Sequence, residues 1–160
     1  MEATTGLREV MRRWVTGVAV LTCGNQNVHH GMTVNSFTSV SIDPPCVTVT
    51  LANTTRTKKL VDEMGIFGIN LLSEDQQEIS DRFAGRIPED GDRFHDLHIL
   101  FGENRLPLIR EAVAHLECKV IHVFTMENST LYVGAVTSSR LGEKKPPLVY
   151  FDRGYHRIEQ

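Results

Sequence analysis

Apolar and polar positions alternate, or apolar residues run in short blocks, over most of the chain; a helical repeat appears in three places. The first is TTGLREVMRRW, where Leu7, Val10, Met11 and Trp14 share one side and Thr4 or Thr5 serves as cap. GVAVLTCG then reads as a buried strand, GNQNV (24–28) as a hairpin turn with Gly and Asn available for positive φ, and HHGMTVNSFTSVS as a single returning strand. Asp43-Pro44-Pro45 ends that strand, because proline lacks the N–H a ladder needs, and CVTVTL is the third strand. In ANTTRTKKLVDEMG, Asn53, Thr54 or Thr55 caps a helix that carries Leu60 and Val61 and stops at Gly65. IFGINLL is a fourth strand. SEDQQEISDRFAG is the third helix, with Ser73 at the N-cap, Gln76 completing a capping box, Glu74 and Asp75 in the first turn and Gly85 as the stop. Residues 86–96 form a polar loop. AHLECKVIHVFTM and TLYVGAVTSSRL alternate as strands joined through MENST, and PPLVYFDRGYHRI supplies one more short strand and a tail. Many closely spaced strands with a few short helices predict a mainly β protein, a small antiparallel barrel with helical additions. There is no βαβ rhythm and no GxGxxG, so a Rossmann domain is not supported.

Composition narrows the function classes. The chain has 160 residues, 41% hydrophobic and 23% charged, which suits one soluble domain over 1–160. A net charge of −3 argues against a general grip on nucleic acid. The apolar runs fall far short of the ~18 residues of a membrane span, and the N-terminus lacks the apolar core of a secretory signal, so the cytoplasm is expected. Cys23, Cys46 and Cys118 form no CxxC pair and the seven histidines no HxxxH or HExxH array, so no metal site is expected.

One stretch departs from an ordinary core strand: GMTVNSFTSVSIDPP, residues 31–45. Read as a strand, one face carries Met32, Val34, Ser36, Thr38, Val40 and Ile42, the other Thr33, Asn35, Phe37, Ser39 and Ser41. A wet face of an antiparallel sheet accounts for the hydroxyls. Yet ANTTRT, a second hydroxyl cluster with one arginine, stands at a helix start. It reads either as a plain capping loop or as a phosphate site of hydroxyls, backbone N–H groups and an arginine. Together the two clusters suit a ligand with a polar heterocycle at one end and a phosphate at the other, as in FMN.

GMTVNSFTSVSIDPP also resembles the signature strand of the flavin reductase-like, FMN-binding split-barrel family, which includes the reductase components of two-component flavin monooxygenases. MRRWVTGVAVLTC resembles the family's first strand. TRTKKLVDEMGIFGINLLSEDQQEISDRFAG resembles its S/T-x-T, helix, F-x-[IV]-N-[IV]-L and Q-x-x-[IL]-[SA]-x-x-FA succession. LYVGAV and LVYFDRGYHRI resemble the closing strands, the latter through Y-x-x-G-x-Y at Tyr150, Gly154 and Tyr155. The resemblance covers residues 10–158. It implies a Greek-key split β-barrel over 15–158 after a helix over 1–14, a homodimer, and flavin bound near the dimer interface. The ring and ribityl contacts fall on Thr33, Val34, Asn35 and Ser36, with the backbone of Thr50, Leu51 and Ala52 beside the ring. Asn53, Thr55 and Thr57 match the phosphate region, helped by Phe83, Ala84 and Arg86, with Arg56 inside the same cluster. Where the family carries Gly-Asp-His for nicotinamide dinucleotide binding, this chain has Glu127-Asn128-Ser129. Either the nicotinamide is held differently, with Ser129 or His156 as candidates, or the electron donor is another molecule.

The implied activity is that of a flavin reductase: hydride transfer from NADH or NADPH to FMN or FAD, with reduced flavin passed to a partner monooxygenase. The cofactor carries this chemistry, so no triad, carboxylate pair or metal cluster is required. Asn35 and Ser36 are the candidate groups for polarising the flavin. The alternatives are an FMN-binding electron-transfer protein with a different donor, and a non-enzymatic flavin-binding module on the same barrel.

Overall fold

The structure, a computed structural model, describes residues 2–88 and 91–159. Glu89 and Asp90, in the loop expected over 86–96, lie outside the described residues, as do Met1 and Gln160. The elements run α1 (Ala3–Met11), β1 (Thr16–Gly17), β2 (Ala19–Gly24), β3 (His29–Val34), β4 (Thr38–Ile42), β5 (Pro45–Ala52), α2 (Arg56–Met64) and β6 (Ile66–Leu71). They continue as α3 (Gln77–Phe83), β7 (Ile99–Phe101), β8 (Pro107–Ile109), β9 (Ala114–Thr125), β10 (Ser129–Leu141), β11 (Val149–Phe151) and β12 (Gly154–His156).

Seven strands form one antiparallel sheet in the order β3-β2-β6-β9-β10-β5-β4. β3 and β4 are neighbours in sequence but stand at opposite edges of that sheet. Residues 35–37 therefore cross the seam of an open barrel, the split architecture the resemblance implies. Two smaller sheets, β1-β11-β12 and β7-β8, complete the fold.

Parity explains why β2 is buried at every position. Ala19, Leu21 and Cys23 face the barrel interior with Val49, Leu51, Phe67, Ile69 and Tyr132. Val20, with Val18 just before the strand, faces a second core with Leu72, Phe83, Phe94, Ile109 and Leu148. Helix α2 adds Val61 to the first core and α3 adds Phe83 to the second. Burial pushes the Cys23 and Cys118 thiols up to about 12, so both behave as small hydrophobes at neutral pH.

Four expectations need correction. The single strand over 29–41 is two strands, with β3 paired to β2 and β4 paired to β5. At the break, the Ser36 hydroxyl donates to the Thr50 carbonyl (3.0 Å) and accepts from the Thr50 N–H (3.1 Å). A side chain thus does what the next ladder pair would do, a competition that serine offers readily. Helix α1 starts at Ala3 with Glu2 as N-cap, so neither Thr4 nor Thr5 caps it, and its apolar side is open: Leu7 is 62% and Trp14 65% exposed. Helix α3 starts at Gln77 rather than after Ser73, because Ser73 is held in a bridge to Pro147 and its hydroxyl is bonded to Asp75. Only the return half of the capping box forms, with Gln76 Oε1 accepting from the Ser73 N–H at 2.9 Å. Finally, the single terminal strand is a hairpin, β11–β12, turned by Asp152 and Arg153 at φ 47° and 64°. Helix α2 matches expectation, with Thr55 Oγ1 accepting from the Lys58 N–H and Gly65 closing at φ 66°.

Tyr132 ties α2 to the barrel. It is fully buried on β10, and its hydroxyl donates to Asp62 Oδ1 at 2.6 Å, while Lys58 one turn back pairs with the same carboxylate. Burial and then Asp62 push the Tyr132 pKa up, so it remains a donor. Burial raises the Asp62 pKa, but the bonds from Lys58 and Tyr132 outweigh it and leave the carboxyl below its usual value. Tyr132→Phe is expected to cost about 1.5–2 kcal/mol, the range of a hydrogen bond to a charged group. Because the Asp62 pKa is lowered in the folded state, this contribution is present above the unfolded value near ~4 and is lost as pH falls through the folded one. Thermal melts of wild type and variant should therefore differ at pH 7 and converge in acid.

Candidate functional site

The site is built where α3 and the closing hairpin meet the outer face of β3. The Thr33 hydroxyl donates to the Ser80 carbonyl at 2.6 Å. Two residues earlier, a Cβ on Gly31 would lie 2.9 Å from the Phe83 ring, so glycine there lets α3 approach the strand closely. Phe83 in turn packs edge-on against Phe94 at 4.9 Å. These contacts fix the C-terminal end of α3 and hence the start of the segment that carries Arg86.

Around Arg86 the donors and acceptors sort themselves. Tyr155 donates to Asp81 Oδ1 at 2.9 Å, because a carboxylate can only accept. Ser80 therefore donates to the Tyr155 oxygen (2.8 Å), and Arg86 reaches the same oxygen at 3.4 Å and Asp81 at 3.0 Å. Tyr150 and Tyr155 face each other across the hairpin register, with their rings 5.6 Å apart. The guanidinium lies 6.0 Å from one ring and 5.7 Å from the other, within cation–π range. Burial, followed by Asp81, raises the Tyr155 pKa, and the Tyr150 hydroxyl raises that of Arg86, so the phenol stays neutral and the arginine stays charged.

This cluster lines an inner cleft of about 190 Å³ with Thr33, Asn35 and Ala84. A larger cleft of about 490 Å³ lies on the other side of Asn35 and Tyr150, which wall both, and is bounded by α1 and the β11–β12 turn. Its volume falls within the ~300–1,000 Å³ of ligand pockets. Asn35 is exposed, and its side-chain amide makes no hydrogen bond to the described residues. Thr16 Oγ1, in the wall of the larger cleft, is buried without a hydrogen-bond partner among the described residues. An unspent amide, an orphaned hydroxyl, aromatic rings and a fixed cation in adjoining clefts fit a planar heterocycle with a polar edge and a negative charge. A flavin is such a group.

The residues expected from sequence separate into three sets. Thr33, Asn35, Ala84 and Arg86 converge on the inner cleft, and Ser36 joins Asn35 in the outer one. Thr50 is reached through Ser36, while Val34, Leu51 and Phe83 are core residues. Ala52, Asn53, Thr55 and Thr57 gather at the start of α2, where Ala52 is exposed and the other three side chains serve the fold. Asn53 donates to the Met126 and Glu127 carbonyls (2.8 and 3.1 Å) and accepts from Thr130 (2.6 Å), pinning the β9–β10 hairpin. Thr55 caps α2, and Thr57 is buried with its hydroxyl 3.0 Å from His30 Nδ1. Ser129 pairs with Ala52 at that hairpin, and His156 Nε2 lies 3.0 Å from the Phe151 carbonyl. Sequence reasoning missed Ser80, Asp81, Thr16 and Trp14 and noted Tyr150 and Tyr155 only within a closing pattern. A two-residue turn between VYF and GYH would have placed those tyrosines opposite each other.

Comparison with known proteins shows the family to which the chain belongs. Residues 11–159 match the family model described as flavin reductase like domain. The reductase component of 4-hydroxyphenylacetate 3-monooxygenase from Thermus thermophilus is 33% identical over 151 residues, covering 94% of each chain. The NADH-dependent flavin reductase StyB of Pseudomonas fluorescens is 36% identical over 156 residues, covering 96% of this chain and 89% of the relative. Among solved structures, the NADH:FAD oxidoreductase SgcE6 of Streptomyces globisporus, in complex with NAD and FAD fragments, superposes with a TM-score of 0.89 at 28% identity. That match covers 99% of this chain and 94% of the other. With its split barrel and a family match over nearly its whole length, the chain belongs to the flavin reductase-like family.

Proposed function

We propose that this protein is an NAD(P)H:flavin oxidoreductase that reduces FMN or FAD and passes the reduced flavin to a partner monooxygenase. The observation that carries this reading is the unbonded Asn35 amide at the barrel seam, walled by Tyr150 and facing the cleft that holds Arg86. The names of the relatives support the substrate classes. A flavin, when bound, would supply the hydride-accepting chemistry, in which the ring takes up negative charge. Asn35 and the main chain around Val34 and Ser36 hold the polar edge of the ring. Arg86, kept in place by Asp81 and the two tyrosines, compensates the charge without reorganising. Since the Asn53, Thr55 and Thr57 side chains are bonded within the chain, main-chain N–H groups at the start of α2 are the phosphate donors on that side.

A homodimer accords with apolar side chains left open on β4 (Val40 58%, Ile42 85%) and at the far end of β9 (Val123 49%, Phe124 58%). Three buried free cysteines suit the reducing cytoplasm. Purified protein should oxidise NADH or NADPH only when FMN or FAD is added. Oxidation of neither nucleotide with either flavin overturns the reading. Glu127-Asn128-Ser129, where the family carries its dinucleotide histidine, favours a second reading, an electron carrier with another donor. Flavin retained through gel filtration together with indifference to both nucleotides would select it.

A further inference from the structure

An apolar cavity of about 130 Å³ lies where the two hydrophobic cores meet, behind the seam that presents Asn35. Ala19 and Val34 of the first core stand on one side and Val18, Leu72 and Leu148 of the second on the other, all buried. Phe37, at the far end of the seam, and half-buried Val113 complete the wall. No lining residue has a polar side chain. The walls are held by main-chain bonds: the Leu72 N–H donates to the Val18 carbonyl (3.0 Å), the Leu148 N–H to the Leu72 carbonyl (2.8 Å) and the Val113 N–H to the Leu71 carbonyl (2.9 Å). Ala19 is also the ladder partner of both Val34 and Leu71. Gly17 and Pro147, both exposed, stand at the mouth. Protein interiors hold few voids larger than a water molecule, because the lining of an unfilled one forfeits its contacts. A cavity this size on fixed walls is therefore shaped to be filled.

We propose that this cavity is an effector site for one small aromatic hydrocarbon, of the size of benzene or toluene, whose binding strengthens that of flavin. A cavity of ~150 Å³ lined by aliphatic and aromatic side chains stays dry and holds benzene, which sets the size of the ligand. Cofactor-sized ligands need roughly 300–1,000 Å³, so neither a flavin nor a nicotinamide dinucleotide fits. The coupling follows from shared walls. Val34 and Phe37 flank the seam residues Asn35 and Ser36, and Val18 walls both this cavity and the inner cleft. A hydrocarbon packed on Val34 and Phe37 supports from behind the segment that offers the Asn35 amide, so both ligands favour one arrangement of the seam. The hydrocarbon site stands on the cavity alone; the coupling rests on the flavin-reductase reading.

The test uses benzene. Titrating the full chain, freed of flavin, should give saturable heat by calorimetry, with a dissociation constant on the order of 1 mM, well inside the per-atom ceiling for small ligands. Phenol should bind about tenfold more weakly, because its hydroxyl meets no polar side chain in the wall. Naphthalene should not bind, whereas loose adsorption on apolar surface would rank it first. Gly17 pairs with Val149, and a Cβ there would meet no atom within 4 Å, so Gly17→Ile should fold and narrow the mouth. It is expected to raise the benzene dissociation constant about tenfold. Val113→Ala, at a half-buried position, should enlarge the cavity and shift its preference from benzene to butylbenzene. Saturating benzene should tighten flavin binding, read by fluorescence quenching, about fivefold, and flavin should tighten benzene binding by the same factor. No saturable benzene binding, as when a side chain of a second copy fills the cavity, overturns the proposal. So does naphthalene binding more tightly than benzene, unchanged benzene affinity in both variants, or flavin affinity indifferent to benzene. If flavin does not bind at all, the flavin-reductase reading fails, and the benzene titration still decides the hydrocarbon site.

Discussion

Replacing Arg86 with leucine should lower kcat for flavin-dependent NADH oxidation about 100-fold, with KM for NADH moving by no more than about threefold. A 100-fold loss is about 2.7 kcal/mol of barrier. That is the lower end of what one preorganised donor aimed at developing charge contributes, and the lower end applies because the Arg86 side chain is 49% exposed. The guanidinium is already placed before substrate arrives, by Asp81 at 3.0 Å and by two tyrosine rings. It therefore contributes at the moment charge forms, which is why kcat and not KM carries the loss. The fold should tolerate the change, since an ion pair this exposed contributes about 0–1 kcal/mol. Arg86→Lys should recover part of the rate, because it keeps the charge but loses the fork that reaches Asp81 and Tyr155 through one nitrogen and Tyr150 through the other. Rapid-reaction kinetics with saturating flavin separate these outcomes, and an unaltered kcat in Arg86→Leu would remove the residue from charge compensation.

Elements whose ends are set by local chemistry were legible in the sequence. Thr55 caps α2 and Gly65 closes it because both devices act within one turn. β9 and β10 alternate, and a turn at 126–129 joins them. Elements decided by distant partners were not legible. The alternation through residues 29–41 looks the same whether one strand runs on or two strands meet at a seam, and only the ladder partners distinguish the cases. Ser73 has the composition of an N-cap, but the bridge to Pro147 takes its backbone first. The β11–β12 turn stayed hidden because Arg153, at its second central position, is not a residue that positive φ leads one to expect. The apolar side of α1 was plain, yet periodicity does not reveal that α1 buries none of its residues.

The site was legible in a different way. Thr33, Asn35, Ala84 and Arg86 are far apart in sequence, and no spacing rule joins them; family resemblance grouped them, and the inner cleft brings them together. The hydroxyl cluster at 53–57 shows the opposite case. Its composition suits a phosphate, but Asn53 pins the β9–β10 hairpin, Thr55 caps α2 and Thr57 is buried against His30. Short polar side chains satisfy backbone groups as readily as they satisfy ligands, so composition alone does not separate the two uses.

Asn35 and Ser36 should separate those uses by experiment. Asn35→Leu is expected to weaken flavin binding about 10- to 30-fold, the effect of losing one or two hydrogen bonds to a polar ring edge. Its melting temperature should stay within about 1–2 °C of wild type, because the residue is exposed and its amide bonds nothing else in the described chain. Ser36→Ala should behave in reverse. Its hydroxyl makes both bonds to Thr50 that close the free edge of β5 at the seam, so its removal should cost about 1 kcal/mol of stability. Flavin affinity in that variant should fall only as far as the seam loosens, by less than in Asn35→Leu. Flavin fluorescence quenching and thermal melts on the two variants give four numbers. If Asn35→Leu binds flavin as wild type does, the unbonded amide is not the ring contact. The seam would then be a structural crossing, with the cofactor held by Arg86 and the tyrosines alone.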